Sequence, residues 1–452
     1  MTEPKFYLRV YGCQMNQYDA GIIRRIMDEH GYQETSDEES ADIILVLTCA
    51  VREHAEIRAL GQLNFWRRLK YRRPELIIGV LGCMAQNLKD LLIKRYKVDL
   101  VIGSDQYRML PQLIKECLKT KSPQVATKIT LENYEHIIPK VTKNSVVGYI
   151  AIMRGCNNYC SYCIVPYVRG PERCKPFGEI IKEAEALICQ GVKEINLIGQ
   201  NVLAWRDGNT DFLTLLKTID ELGGYYRLRF LTSHPKDLTT RHWEVFSQLK
   251  KFCPYLHLPL QSGSNRILAL MNRGYTKEEY LAKVTLGRQI IPELVLTTDV
   301  MVGFPTETDD DYNETIEVLD KVRFDFAYMF KYSERPYTKA RKIIPKVDPE
   351  TAQKRLANLI THQNRITQGK INSYLNRKCE VLVEFYSYPY SKGRTKDNKM
   401  VIIKDSLQVG KIYECMIKDI TGWILIGEAV DKCNSNNQNN IVYNVNNIKE
   451  GV

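Results

Sequence analysis

The chain has 452 residues, with 64 basic against 53 acidic side chains, 13 cysteines and 44% hydrophobic residues. That length suggests about two to four domains, and the apolar fraction excludes a disordered or fibrous chain. No run of about 18 apolar residues is present, and the start MTEPKFYLRVYGC lacks the basic-then-apolar order of a secretory signal. A soluble, cytoplasmic protein with no membrane partner is expected. An odd, large set of cysteines in such a chain favours metal ligation or thiol chemistry over disulfides. The net charge of +11 permits an anionic partner such as RNA without requiring one.

In the first third, three β-branched runs, 6–10, 43–47 and 77–81, are each followed at once by a cysteine: Cys13, Cys49 and Cys83. Helical stretches follow at 20–29, 55–69 and 87–96, and a fourth short strand at 100–103 precedes a helix to about Lys119. Strands alternating with helices predict a doubly wound parallel sheet. Ligands of such sheets sit outside the carboxyl ends of the strands, where all three cysteines fall. The segment Phe65-Trp66-Arg67-Arg68-Leu69-Lys70-Tyr71-Arg72-Arg73 sets cations among aromatics. It reads as a solvated helix face or, alternatively, as a phosphate contact.

Residues 121–144 are polar and read as a linker or crossover. Six strand patterns follow (147–153, 194–198, 227–231, 255–259, 295–302 and 324–330) with helices between them. They are too few for a closed eight-fold barrel and fit an open one, with active groups on the loops after the strands. A long helical pattern covers 348–372. Short runs at 379–386, 400–403, 412–420 and 423–429 then predict a small antiparallel barrel. The class is α/β, with expected units at 1–122, 142–373 and 374–436 and a disordered Asn-rich tail at 437–452.

The sharpest motif is Cys156-Asn157-Asn158-Tyr159-Cys160-Ser161-Tyr162-Cys163, directly after the first strand of the middle region. Three thiolates on one short loop can hold three irons of a cubane and leave the fourth open to an outside ligand. The alternative is a zinc site, which needs a fourth Cys or His; Cys174 is the near candidate.

On this CxxxCxxC loop the chain resembles the radical S-adenosylmethionine (SAM) superfamily, whose members bind there a [4Fe–4S] cluster that chelates SAM. The resemblance implies SAM contacts from Gln200, in Gly199-Gln200-Asn201 after the second strand, from Ser233 and Gln261 after the third and fourth, and from Arg273. It assigns no role to His234. Singly, Cys13, Cys49 or Cys83 would pass for a buried small hydrophobe. Together at equivalent strand ends ahead of such a core, they read as a second three-thiolate cluster with an iron open to external sulfur.

This order of pieces resembles the methylthiotransferase family of radical SAM enzymes: a three-cysteine domain, a partial (β/α)6 radical SAM barrel and a TRAM-like C-terminal barrel. Gly12-Cys13-Gln14-Met15-Asn16-Gln17-Tyr18-Asp19, the run Arg154–Arg173 and Leu258-Pro259-Leu260-Gln261-Ser262-Gly263-Ser264 are similar to the branch forming 2-methylthio-N6-dimethylallyladenosine. The resemblance implies two [4Fe–4S] clusters, SAM, a tRNA anticodon stem-loop as substrate, an electron donor of flavodoxin or ferredoxin type, and a monomer. Tyr337 and Cys174 stand where the family commonly has Gly and Ser. RNA contact in the last barrel is expected from Arg394, Lys396 and Lys399 on one loop, while Tyr388, Tyr390 and Trp423 read equally as stacking or core residues. The same chemistry on a ribosomal-protein aspartate or a threonylcarbamoyl adenosine stays open. So does a non-catalytic iron–sulfur RNA-binding or redox-sensing role.

Overall fold

The computed structural model describes residues 3–50, 53–142 and 145–430; the tail at 437–452 lies outside them. The first sheet holds β1 (Lys5–Val10), β2 (Gln33–Glu34), β3 (Ile43–Thr48), β4 (Ile77–Gly82), β5 (Leu100–Ile102) and β6 (Gln124–Ala126). The spatial order is β2-β1-β3-β4-β5-β6, and every pair is parallel. Strands β3 and β4 are buried at every residue. Helices cover both faces, which is why these strands read as unbroken apolar runs. Met15, Ile22 and Ile26 pack one face together with Leu110 and Ile114. Ala59, Leu63, Trp66 and Leu92 pack the other. The strand order reverses between β1 and β3, and this switch point opens the crevice where Cys13 and Cys49 emerge.

The middle region has six parallel strands: β7 (Val147–Ala151), β8 (Glu194–Ile198), β9 (Arg227–Phe230), β10 (Tyr255–His257), β11 (Val295–Val302) and β12 (Phe326–Lys331). They run in chain order as two three-stranded halves joined by a Leu228–Phe252 bridge. No pairing closes β12 onto β7 among the described residues, so the barrel is open, as its strand count predicts.

Five strands form the C-terminal barrel: β13 (Lys378–Ser387), β14 (Tyr390–Thr395), β15 (Met400–Ile403), β16 (Ile412–Thr421) and β17 (Ile424–Ala429). It closes in the order β13-β14-β15-β17-β16. Four pairs are antiparallel, and β15 runs parallel to β17. Strand β14 has no counterpart among the apolar runs of the sequence. Its inward positions are Ser391, Gly393 and Thr395, and a Cβ on Gly393 would lie 2.1 Å from the Leu382 carbonyl oxygen. The barrel interior admits only small residues there, so apolar alternation is absent.

Of the polar stretch at 121–144, the described part, 121–142, is a packed crossover rather than a loose linker. It supplies β6, and it buries Tyr134 in a stack with Tyr107 at 5.5 Å between ring centroids. The loop at Arg394, Lys396 and Lys399 borders the seam with the middle domain, with Lys396 exposed to solvent. Arg227 donates to the carbonyls of Arg394 at 2.7 Å and Glu380 at 3.1 Å. Arg394 pairs with Glu384 at 3.5 Å, and Lys399 with Asp325 at 3.6 Å. Tyr388, Tyr390 and Trp423 are exposed and lie outside the barrel core.

The 65–73 segment fits a solvated helix face. Trp66 is buried and donates to Glu38 at 2.9 Å. Arg67 donates to the Arg95 carbonyl, Lys70 pairs with Asp99, and Arg73 lies 3.5 Å from Glu75.

Candidate metal centres

Each N-terminal cysteine closely follows a strand of the first sheet. Cys13 caps the helix Gln14–Glu29 three residues past β1, Cys49 directly follows β3, and Cys83 opens the helix Cys83–Leu88 after β4. Gly12 makes the approach possible. At its φ of +117° a Cβ would lie 2.6 Å from Cys49 Cβ and 2.9 Å from Asn16 Nδ2. The Cys13 thiol is pulled down to about 6 by its hydrogen bond with Cys49, with the Arg169 charge adding to this against burial. Burial pushes Cys83 up, and Arg169 opposes it.

The CxxxCxxC loop is fixed by the end of the helix Asn265–Leu270. Ser161 N–H donates to the Met271 carbonyl and its hydroxyl to the Leu270 carbonyl. Asn272 Nδ2 donates to the carbonyls of Asn158 and Tyr159 at 3.0 and 3.2 Å. Gly155 has φ +73°, and a Cβ there would lie 1.9 Å from the Pro171 carbonyl oxygen. Burial pushes the Cys156 thiol up and that of Cys163 to about 12. These thiols therefore release protons on ligation.

One buried arginine is aimed at a sulfur of each triad. Arg273 donates to Cys160 Sγ at 3.3 Å, and also to the Pro259 carbonyl and Tyr275 hydroxyl. Arg169, at the end of the turn Val165–Arg169, donates to Cys83 Sγ at 3.2 Å, to Asp19 at 3.1 Å and to Asn16 at 3.3 Å. Arg154 donates to the other Asp19 oxygen at 2.6 Å. Ala50 and Cys83 pack on Ile164 and Val168, so the N-terminal triad adjoins the segment that directly follows Cys163.

Among the described residues, no three His, Cys, Asp or Glu side chains are already gathered round the position of a single metal ion. The fit for a larger iron–sulfur group rests on soft thiolate donors and on an unused cationic donor beside them. Nη1 of Arg169, whose Nε–H donates to Cys83, is buried without a hydrogen-bond partner. Three thiolates in a closed space make an anionic group that such donors would satisfy. Cys174 does not serve as a fourth ligand: its Sγ accepts the Arg206 N–H at 3.5 Å and its side chain packs on the main core.

The residues expected to contact SAM are placed as follows. Gln200, at the end of β8, has its Oε1 buried and unpartnered, as does Nε2 of His234 after β9. Ser233 donates to the His257 carbonyl at 2.6 Å. Gln261 is buried at φ +71°, with its N–H on the Asp299 carbonyl. Arg273 is engaged with Cys160 rather than left open. Asp19, Arg154 and Arg169 received no role from the sequence, although Asp19 ends one of the quoted motifs and Arg154 and Arg169 lie within another.

The profile of the Radical SAM superfamily matches residues 150–319, and that of Uncharacterized protein family UPF0004 matches residues 5–103. A tRNA-2-methylthio-N(6)-dimethylallyladenosine synthase of Bacteroides fragilis is 40% identical over 437 residues, covering 94% of this chain and 96% of the relative. The chain belongs to the tRNA-2-methylthio-N(6)-dimethylallyladenosine synthase family. Another relative of that name, from Chloroherpeton thalassium, is 41% identical over the same share of each chain. Among solved structures, the radical S-adenosylmethionine methyltransferase TsrM from Kitasatospora setae matches with TM-score 0.58 at 13% identity, covering 75% of each chain. The cobalamin-dependent S-adenosylmethionine radical enzyme OxsB matches at 0.52 with 14% identity, covering 80% of this chain and 56% of that one. At those identities the structures support the fold, and membership of the synthase family rests on the relatives. No helix among the described residues is long and apolar enough to cross a membrane.

Proposed function

We propose that this protein is a tRNA methylthiotransferase that replaces the C2 hydrogen of N6-dimethylallyladenosine, next to the anticodon, with a methylthio group. One observation carries the reading: Arg169 bonds a thiol of the N-terminal triad from the turn that follows the CxxxCxxC loop, which ties the two triads to one domain seam. When bound, the group at Cys156, Cys160 and Cys163 supplies one-electron cleavage of SAM, and the group at Cys13, Cys49 and Cys83 supplies sulfur. The chain positions both. Arg169 offsets thiolate charge beside Cys83, and Arg154 offsets that of Asp19. Asn272 and Ser161 hold the cysteine loop at a fixed height, and Gln200, Ser233 and Gln261 line the strand ends where SAM would lie. An external donor of flavodoxin or ferredoxin type supplies the electron.

The test is an anaerobic incubation of the iron-loaded protein with SAM, a reductant and an RNA hairpin bearing N6-dimethylallyladenosine, followed by mass spectrometry of the nucleosides. The expected product is the 2-methylthio nucleoside. A hairpin left unmodified while 5′-deoxyadenosine accumulates would move the substrate to a ribosomal-protein aspartate or a threonylcarbamoyl adenosine. Absence of 5′-deoxyadenosine would remove the enzymatic reading.

A further inference from the structure

Between β12 and the helix Pro349–Asn372 the chain makes an excursion whose surface the chemistry above does not use. It is tied at two points. Ala340 is fully buried with Ile267, Met271 and Phe304, and its N–H donates at 2.8 Å to the carbonyl of Ser161, inside the CxxxCxxC loop. Arg335 lies 3.9 Å from Glu56 of the N-terminal domain. The excursion is thus set at a fixed distance from the cysteine loop and touches both domains that carry the triads.

Tyr337 stands on it, 66% exposed and at φ +68°. Glycine takes that conformation freely, whereas a bulky residue holds it only where its surroundings impose it. Beneath it lies Tyr167, with ring centroids 5.9 Å apart and planes inclined by 35°. Tyr167 sits in the same turn as Arg169. The result is a strained, exposed ring supported from behind by a second ring, four residues beyond Cys163.

The next turn, Lys339–Lys342, presents Lys339, Arg341 and Lys342 to solvent. Arg341 is drawn to Glu334 at 3.7 Å. Neither Lys339 nor Lys342 has an acidic partner among the described residues. An aromatic face with cations on its shoulder is the pairing that holds unpaired nucleotides, the base on the ring and the phosphates on the charges.

We propose that Tyr337, backed by Tyr167, is a stacking ledge for a nucleobase of the anticodon loop neighbouring the target adenosine, with Lys339 and Lys342 on the adjoining phosphates. This rests on the tRNA reading above. The ledge positions the loop and takes no part in the chemistry.

The experiment measures binding of a fluorescent anticodon hairpin carrying N6-dimethylallyladenosine to the iron-loaded protein, to Tyr337→Gly and to Tyr337→Phe. Glycine suits the backbone at this position, so Tyr337→Gly is expected to unfold no earlier than the parent while its affinity falls about 5- to 100-fold. Tyr337→Phe keeps the ring and is expected to bind like the parent. Unchanged binding by Tyr337→Gly, or an equal loss in Tyr337→Phe, overturns the ledge and leaves the tRNA reading standing. A parent protein that does not bind the hairpin removes both.

Discussion

The Nε–H of Arg169 donates at 3.2 Å to the sulfur of Cys83, which belongs to the other domain. The same guanidinium holds Asp19 and Asn16 in the helix that Cys13 caps, so one side chain spans two of the three N-terminal thiols. Because Arg169 follows Cys163 by only six positions, any displacement of the CxxxCxxC loop is transmitted to the N-terminal triad.

Arg169→Ala leaves Asp19 with Arg154 as its remaining cation and removes the charge beside Cys83. Removing one member of a buried ion pair costs about 3–5 kcal/mol, so a lower unfolding midpoint is expected. Iron content should fall from about eight to about four per chain as the N-terminal triad loses its cluster. Arg169→Lys keeps the charge without the planar fork and should fall between, by iron and sulfide assay.

Gly12→Ala tests the N-terminal triad without touching a ligand. Its new Cβ would overlap Cys49 Cβ at 2.6 Å, and the backbone there is in a region that alanine rarely adopts. Loss of about half the iron is expected, with 5′-deoxyadenosine formation retained because the CxxxCxxC loop is untouched. Full iron content would show that the strand ends yield more easily than their packing implies.

His234 gives a pH dependence of definite sign. Burial, reinforced by the charges of Arg273, Lys236 and Lys283, pulls its pKa down to about 2. The unfolded chain binds a proton below the ordinary value of about 6.5, and the native state refuses it. Its effect is absent above that pH and destabilises the fold increasingly as pH drops below it. His234→Asn retains an acceptor for the Lys236 N–H. Relative to the parent, its unfolding free energy from urea titrations between pH 6.5 and 5 should decline less, by up to about 1.4 kcal/mol per pH unit.

Most strands were legible in the sequence because the parallel sheets carry long apolar runs. The cysteines stood out because three of these runs in the first sheet, and the first of the middle region, are followed closely by cysteine. The sequence could not reveal what joins them. Asp19, Arg154 and Arg169 meet only at the seam between the two domains, and a charged residue in a motif gives no sign of its partner. Strand β14 escaped because its inward side chains are small and polar. Nor could the sequence reveal that two cations of the basic loop in the last barrel, Arg394 and Lys399, reach carboxylates beside the seam, Glu384 and Asp325.

That seam can be tested alone. Arg227→Ala removes the bonds to the carbonyls of Arg394 and Glu380. Faster proteolytic cleavage in the connection at 373–377 is expected, with iron content unchanged. Equal cleavage rates would mean that Arg229 on Thr395 suffices.

The proposed function needs one chain to carry two separate thiolate cages, each short of a ligand. Mössbauer spectra of anaerobically prepared, isotopically enriched protein address it most directly. The account requires about eight irons in two cubanes for the parent, and one remaining cubane when Cys13, Cys49 and Cys83 are all changed to alanine. A parent spectrum of a single cubane, unaltered in the triple variant, would contradict it.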